Sequence, residues 1–160
     1  MKKVSLYLLL ALAIPSFAGD LTKQTEVSVF GGGIHFKNGD THSIYGGNVG
    51  YGISSKTTLF AEVSHAPIAS GVNLVDFNGG VKYTLFSKGR FEPYGLVAAG
   101  ANRIVGTSNF GLHAGGGARL YVGQKWGVQP EVRWTRYFNG NGPDTNLVRY
   151  TGGLFFQWGK

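Results

Sequence analysis

The sequence predicts an all-β fold, an eight-stranded antiparallel up-and-down transmembrane β-barrel, and three observations carry that expectation. Eight segments of roughly ten to fourteen residues alternate apolar and polar side chains at period two between turn signals, and none shows helical periodicity. Tilted membrane strands need about 9 to 11 residues, so the lengths fit. Glycine reaches 27 of 160 residues beside 3 Trp, 8 Tyr and 11 Phe. That many aromatics argue against low-complexity disorder, and glycine inside strand patterns marks the bends and close backbone approaches of a tightly curved sheet. Finally, the apolar faces are too large to share one interior when no helix exists to cover them. Turned outward to lipid, with the polar faces inward, they no longer conflict.

At the amino end, Lys2 and Lys3, the apolar run from Val4 to Ile14 and the small residues Ser16 and Ala18 form a secretory signal, with cleavage expected after Ala18. The domains are therefore a signal peptide over 1–18 and a barrel over 19–160. The apolar run is too short to span a bilayer as a helix. The chain has no cysteine, so a lipid-anchored amino terminus, a disulfide framework and a thiolate metal site are all excluded. Removal of Lys2 and Lys3 lowers the formal charge from +7 to +5. With no dense Lys/Arg run, nucleic-acid binding has no footing.

The strands are expected at 24–36, 43–53, 57–66, 73–86, 91–103, 109–122, 126–138 and 145–158. The second sets Tyr45, Val49, Tyr51 and Ile53 against Gly46, Asn48, Gly50 and Gly52; the fourth sets Phe77, Val81, Tyr83 and Leu85 against Asp76, Asn78, Lys82 and Thr84. In the seventh, Trp126, Val128, Pro130, Val132 and Trp134 oppose Gln129, Glu131, Arg133 and Thr135. In the eighth, Leu154, Phe156 and Trp158 share one face while Thr151, Gly153 and Gln157 share the other, with Phe155 the apolar exception. Val128, Val132, Trp134 and Leu154 are thus expected to face lipid, and Tyr45, Phe91, Phe110, Trp126, Trp134 and Trp158 to form interfacial girdles. An even strand count puts both ends on one side, the periplasm, where the short turns at 54–56, 87–90 and 123–125 also belong. The longer connections at 37–42, 67–72 and 139–144 then face outward, joined by a modest one at 104–108.

The same alternation sends Glu26, Glu62, Asp76, Glu92 and Glu131 into the lumen with Lys82, Arg119, Arg133 and Arg149. Five negatives against four positives suit a paired, hydrogen-bonded network that plugs the barrel, since unpaired charges there are costly. The functional alternative is a gate or proton-sensitive switch. Eight strands leave an interior just filled by side chains, so no wide pore is expected. His35 and His65 fall on the lipid face, His113 on the lumen face and His42 in a loop, which argues against a metal site; no cofactor is expected. The runs Gly31 to Gly33 and Gly115 to Gly117 precede neither a Lys-Ser/Thr pair nor a helix, so neither is a phosphate loop. Lys37, Arg103 and Arg136 at the outer rim are placed to meet lipopolysaccharide phosphates, for which Arg geometry is suited. Lys56, Lys88, Arg90 and Lys125 at the other end read as solvated turn residues.

The order of residues from Thr151 to Trp158, with Thr151, Gly153, Phe156 and Trp158 as its marks, resembles the carboxy-terminal signal by which outer-membrane barrels are handed to their insertion machinery; here the chain continues two residues past the aromatic. Over the whole mature chain the sequence resembles the small porin-family barrels of the OmpA/OmpX type, without the periplasmic peptidoglycan-binding domain of larger members. The resemblance implies a monomeric outer-membrane protein with a structural or surface-interaction role, whose partners are outer-membrane lipids, lipopolysaccharide and the insertion machinery. The stretch 131–158 is also similar to the lipid A deacylase barrels, but where those hydrolases carry His and Ser this chain reads Thr135, Arg136, Tyr137, Phe138. The remaining pair, Ser108 and His113, has no carboxylate placed behind it. The competing reading from another class is a secreted soluble β-barrel binding an apolar ligand, whose sign is an apolar cavity lining.

Overall fold

A computed structural model describes residues 24–37, 39–69, 72–104, 107–138 and 144–159. The expected signal segment 1–18 and its expected cleavage point lie outside them. Eight strands, β1 (Thr25–Phe36), β2 (Thr41–Gly52), β3 (Thr57–Ala69), β4 (Val72–Thr84), β5 (Phe91–Ile104), β6 (Thr107–Tyr121), β7 (Trp126–Phe138) and β8 (Thr145–Trp158), pair with their sequence neighbours. β8 returns to β1, so the sheet closes and no strand edge is left open. Every pairing is antiparallel. Thr25 and Trp158 are partners at what we term the turn end; the opposite one is the loop end.

Strand limits differ from the expected ones by a few residues. β3 runs on to Ala69, three past the expected stop, with its register shifting between Pro67 and Ala69 where proline has no N–H for the ladder. β2 starts at Thr41, so His42 is a strand residue with its ring against Phe36 at 5.9 Å. The loop assigned to His42 is therefore corrected. Proline also marks the β6–β7 ladder, which passes from Gly117↔Glu131 to Leu120↔Val128 around Pro130.

Because side chains alternate, one choice of face fixes a whole strand. Even-numbered residues point inward on β1 to β5, and odd-numbered ones on β6 to β8, as the alternation of buried and exposed side chains shows. The wall exterior is apolar: Val29, Phe77, Val97, Val132, Trp134 and Leu154 are among its exposed large side chains. Inside, close approach is bought with missing side chains at the seam. A Cβ on Gly32 would stand 2.0 Å from the Tyr150 carbonyl oxygen, so only glycine lets β1 meet β8 there.

The interior is layered. From the turn end come a charged knot around Glu26, an aromatic layer with Phe60 and Tyr94, a second charged knot around Glu62, and an apolar cap of Ile34, Ile44, Ala66, Leu74, Tyr137 and Leu147 at the loop end. The cap adds an apolar layer to a lumen expected to be plugged largely by polar side chains. Its members share parity with the polar residues, so alternation identified their side correctly while residue type hid it.

Candidate functional site: the charged lumen

Nearest the turn end, Glu26 on β1 receives Lys82 from β4 at 3.2 Å, Arg119 Nε from β6 at 2.6 Å and Gln157 Nε2 from β8 at 2.9 Å. Four strands thus meet on one carboxylate. Arg119 also donates to Thr84 Oγ1 at 3.3 Å and stands 4.0 Å from Glu92. Glu92 is only half withdrawn from solvent; it accepts from Ser87 at 2.7 Å and Tyr121 at 3.0 Å, at the mouth of a polar recess of about 270 Å³ that reaches Glu26. Phe155, the apparent apolar exception of β8, stands in the lumen edge-on to Tyr121 at 5.1 Å.

In the second knot, Arg133 of β7 grips Glu62 of β3 through two parallel bonds of 3.0 and 2.7 Å, the fork geometry peculiar to Arg. Arg149 of β8 donates to the same carboxylate at 2.6 Å and reaches Glu131 at 3.4 Å, and Glu131 also takes Arg133 Nε. The Glu62 and Arg133 side chains are 0% and 1% exposed, so neither partner is satisfied by bulk water.

Between the knots, Phe60 lies 5.2 Å from the Lys82 ammonium and 5.3 Å from the Arg133 guanidinium, and Tyr94 lies 5.5 and 5.3 Å from Lys82 and Arg119. Each ring places its negative face toward a cation that has lost its hydration. The Tyr94 hydroxyl donates to Glu131 at 2.8 Å and accepts from Gln129. Tyr94→Phe is expected to lower stability by about 1 to 3 kcal/mol by leaving those two buried groups short of a partner, which unfolding in urea checks. Sequence reasoning missed Phe60 and Tyr94, and it set Gln129 and Gln157 on the polar faces without giving them a part in the knots. Parity held the signal: Phe60 precedes Glu62 by two, Tyr94 follows Glu92 by two, and Gln129 precedes Glu131 by two.

Asp76 is the odd acid of the lumen, five acids standing against four bases. Its Oδ2 accepts from Asn78 and Tyr137, each at 2.9 Å, while no cation lies within ion-pair distance among the described residues. Thus eight of the nine expected lumen ions join the two knots, and Asp76 stands under the apolar cap.

The hydrolase arrangement does not assemble. Ser108 lies on the outward parity of β6 and His113 on the inward, so they occupy opposite sides of the wall. His113 Nδ1 instead contacts Thr135 Oγ1 at 2.9 Å; both residues are buried, and His113 Nε2 has no carboxylate partner among the described residues. His35 bonds Thr41 and His65 packs on the Tyr45 ring, so the four histidines do not converge. No group of three or more metal-ligating residue types is assembled among the described residues.

On the outside, Val128, Val132, Trp134 and Leu154 are all exposed. In the carboxy-terminal stretch, Thr151 and Gly153 take the lumen parity, while Phe156 and Trp158 sit outward with ring centroids 6.1 Å apart. Arg136 faces outward and holds Asp144 at 2.7 Å; Lys37 is exposed at the same end of β1, and Arg103 on β5.

No family model matches the sequence, and no curated protein matches it. Solved structures do share the fold. Neisserial surface protein A superposes with a TM-score of 0.70 at 12% identity, covering 86% of this chain and 97% of that one. The amino-terminal β-barrel domain of Pseudomonas aeruginosa OprF gives 0.66 at 14% identity, covering 87% and 100%. The outer membrane enzyme PagL gives 0.54 at 17% identity, covering 82% and 98%. At such identities the likeness is one of fold: a small closed eight-stranded barrel.

Proposed function

We propose that the chain is an integral outer-membrane β-barrel protein with a structural or surface-interaction role, monomeric, with its lumen held shut by the two charged knots and the apolar cap. The observation that carries this reading is the inversion of the usual soluble pattern. Arg133, Lys82 and Glu26 are among the most deeply buried large side chains, while Val97, Val132 and Leu154 stand exposed on the wall. In water such a wall would be an aggregation surface; in a hydrocarbon layer it is the expected one. Trp126, Trp158 and Phe91 near the turn end, with Tyr45, Phe110 and Trp134 toward the loop end, are placed as two girdles. Thr151, Gly153, Phe156 and Trp158 serve as the insertion signal. The turn end faces the periplasm and the loop end the cell exterior. The resemblance in fold to solved outer-membrane barrels supports this reading.

A soluble ligand-binding barrel would need an apolar cavity. Here the apolar residues of the lumen pack on one another in two clusters, the cap and the layer of Phe60, Tyr94, Leu96 and Ala98, instead of lining a chamber. Fractionation tests the placement: the protein is expected in the outer membrane, with a folded form of altered gel mobility until heated, and extraction by aqueous buffer without detergent would overturn it. The plug is tested by planar-bilayer recording of the purified protein. Wild type is expected to show no stable large conductance, because each knot draws on at least three strands and fills the cross-section.

A further inference from the structure

We propose that the outer wall formed by β7, β8 and β1 is a binding site for one phosphorylated glycolipid of the surrounding leaflet, the end of one acyl chain lying in a trough on that wall and a phosphate meeting the cations above it. This rests on the membrane reading and its orientation. The trough, of about 590 Å³, is lined by Val29, Gly31, Val128, Pro130, Gly152 and Leu154. Its floor is Gly31 paired with Gly152, which in turn pairs with Pro130. A Cβ added to Gly152 would meet nothing within 4 Å, and one on Gly31 only the Ile44 carbonyl oxygen at 3.8 Å. Neither glycine has a positive φ. Unlike Gly32, these two are required neither by packing nor by backbone conformation, so what their missing side chains provide is the hollow itself.

Toward the loop end the same three strands form a second recess, of about 160 Å³, lined by His35, Lys37, Trp134 and Val148. Arg136 stands on β7 beside it, exposed although engaged by Asp144, which with the exposed Asp40 of the β1–β2 connection makes two acids at this edge among the described residues. The Tyr150 ring lies over Gly33 between the two recesses. From Gly31 to Lys37 is six residues, roughly 20 Å of strand and about 15 Å of depth for a strand tilted by ~40°, half of a ~30 Å hydrocarbon core. An amphiphile with its phosphate at Lys37 and Arg136 therefore runs its chain down the wall within one leaflet, its end entering the trough at the glycine floor. A second copy of this chain fits less well: a two-fold contact on this wall within a membrane brings Lys37 and Arg136 against their own counterparts. With the loop end outward, the phosphate-bearing lipid at that depth is the outer-leaflet glycolipid.

The test uses the folded, detergent-purified barrel and bisphosphorylated lipid A, with retained lipid counted by native mass spectrometry. Wild type is expected to keep one molecule. Gly31→Leu with Gly152→Leu, which fills the trough, is expected to weaken retention about tenfold or more, and Lys37→Gln with Arg136→Gln to abolish the preference for phosphorylated over dephosphorylated lipid A, each such factor of ten corresponding to about 1.4 kcal/mol. Gly79→Leu, at an outward glycine of β4 with similar free space, is the control and is expected to bind as wild type. Heat-modifiable mobility verifies that each variant is folded. Retention unchanged by filling the trough overturns the site, and equal competition by phosphatidylglycerol overturns the glycolipid assignment. Either result leaves fractionation free to report separately on the outer-membrane placement.

Discussion

Glu62→Ala is expected to destabilise the barrel by about 3 to 5 kcal/mol, the usual consequence of removing one member of a buried ionic cluster. Glu62 is the shared acceptor for Arg133 and Arg149, with bonds of 3.0, 2.7 and 2.6 Å. Without it, two guanidinium groups crowd the single remaining carboxylate of that knot, Glu131, and neither can reach bulk water. Their mutual repulsion adds to the lost attraction, so the loss is larger than for a neutral pair. Glu62→Gln is expected to lie between wild type and Glu62→Ala, since an amide keeps one acceptor oxygen but not the charge. Adding Arg149→Leu to Glu62→Ala leaves Arg133 with Glu131 as a one-to-one pair, and stability is expected to recover in part; the difference from additivity measures the coupling. Urea unfolding in lipid vesicles, read by the fluorescence of Trp126, Trp134 and Trp158 on the outer wall, supplies the numbers. If Glu62→Ala changed stability by under about 0.5 kcal/mol, the knot would be an ornament of the lumen and the plug would rest on the cap alone.

That cluster was legible in the sequence to the extent that alternation dictates it. Glu62, Glu131, Arg133 and Arg149 sit on three different strands, and each was assignable to the lumen because at least one residue two positions away is polar: Ser64, Gln129, Thr135 and Thr151 in turn. What alternation leaves open is register. Whether Arg133 meets Glu62 from four strands away depends on how far each strand is staggered, which is set by turn lengths and by irregularities such as the one between Pro67 and Ala69. For the same reason the surplus acid was countable from sequence, five acids against four bases, but its identity as Asp76 was not. The apolar cap was hidden differently. Ile34, Ile44 and Leu147 carry residue types that the outward face also uses, so a reading that separates faces by polarity credits them to neither side with conviction. His42 was misassigned through strand length: β2 begins two residues before the first clear alternation, where Thr41 pairs with His35.

Val97→Arg is expected to destabilise the barrel by about 2 to 4 kcal/mol in vesicles, the magnitude found for a cation facing lipid at the midplane of a membrane barrel. Val97 is 61% exposed, and on β5 it stands six residues from Phe91 at the turn end and six from Arg103 at the loop end. An arginine there has no short path to either interface. In a water-soluble barrel the same exposed position would accept arginine within about 0.5 kcal/mol, so a change that small in vesicles would count against the bilayer as solvent of this wall. Folding cannot be blamed for a loss, because Val97→Ala, which takes volume from no packed core at the same site, is expected to cost far less. The contrast with a neighbouring cation makes the point sharper. Lys82, whose β5 partner is Leu96, the residue before Val97, is 1% exposed and is nevertheless accommodated, because Glu26 stands 3.2 Å from its ammonium. One step along the strand turns the side chain through the wall, and what decides whether a cation is tolerated is the presence of that carboxylate on one side and of hydrocarbon on the other.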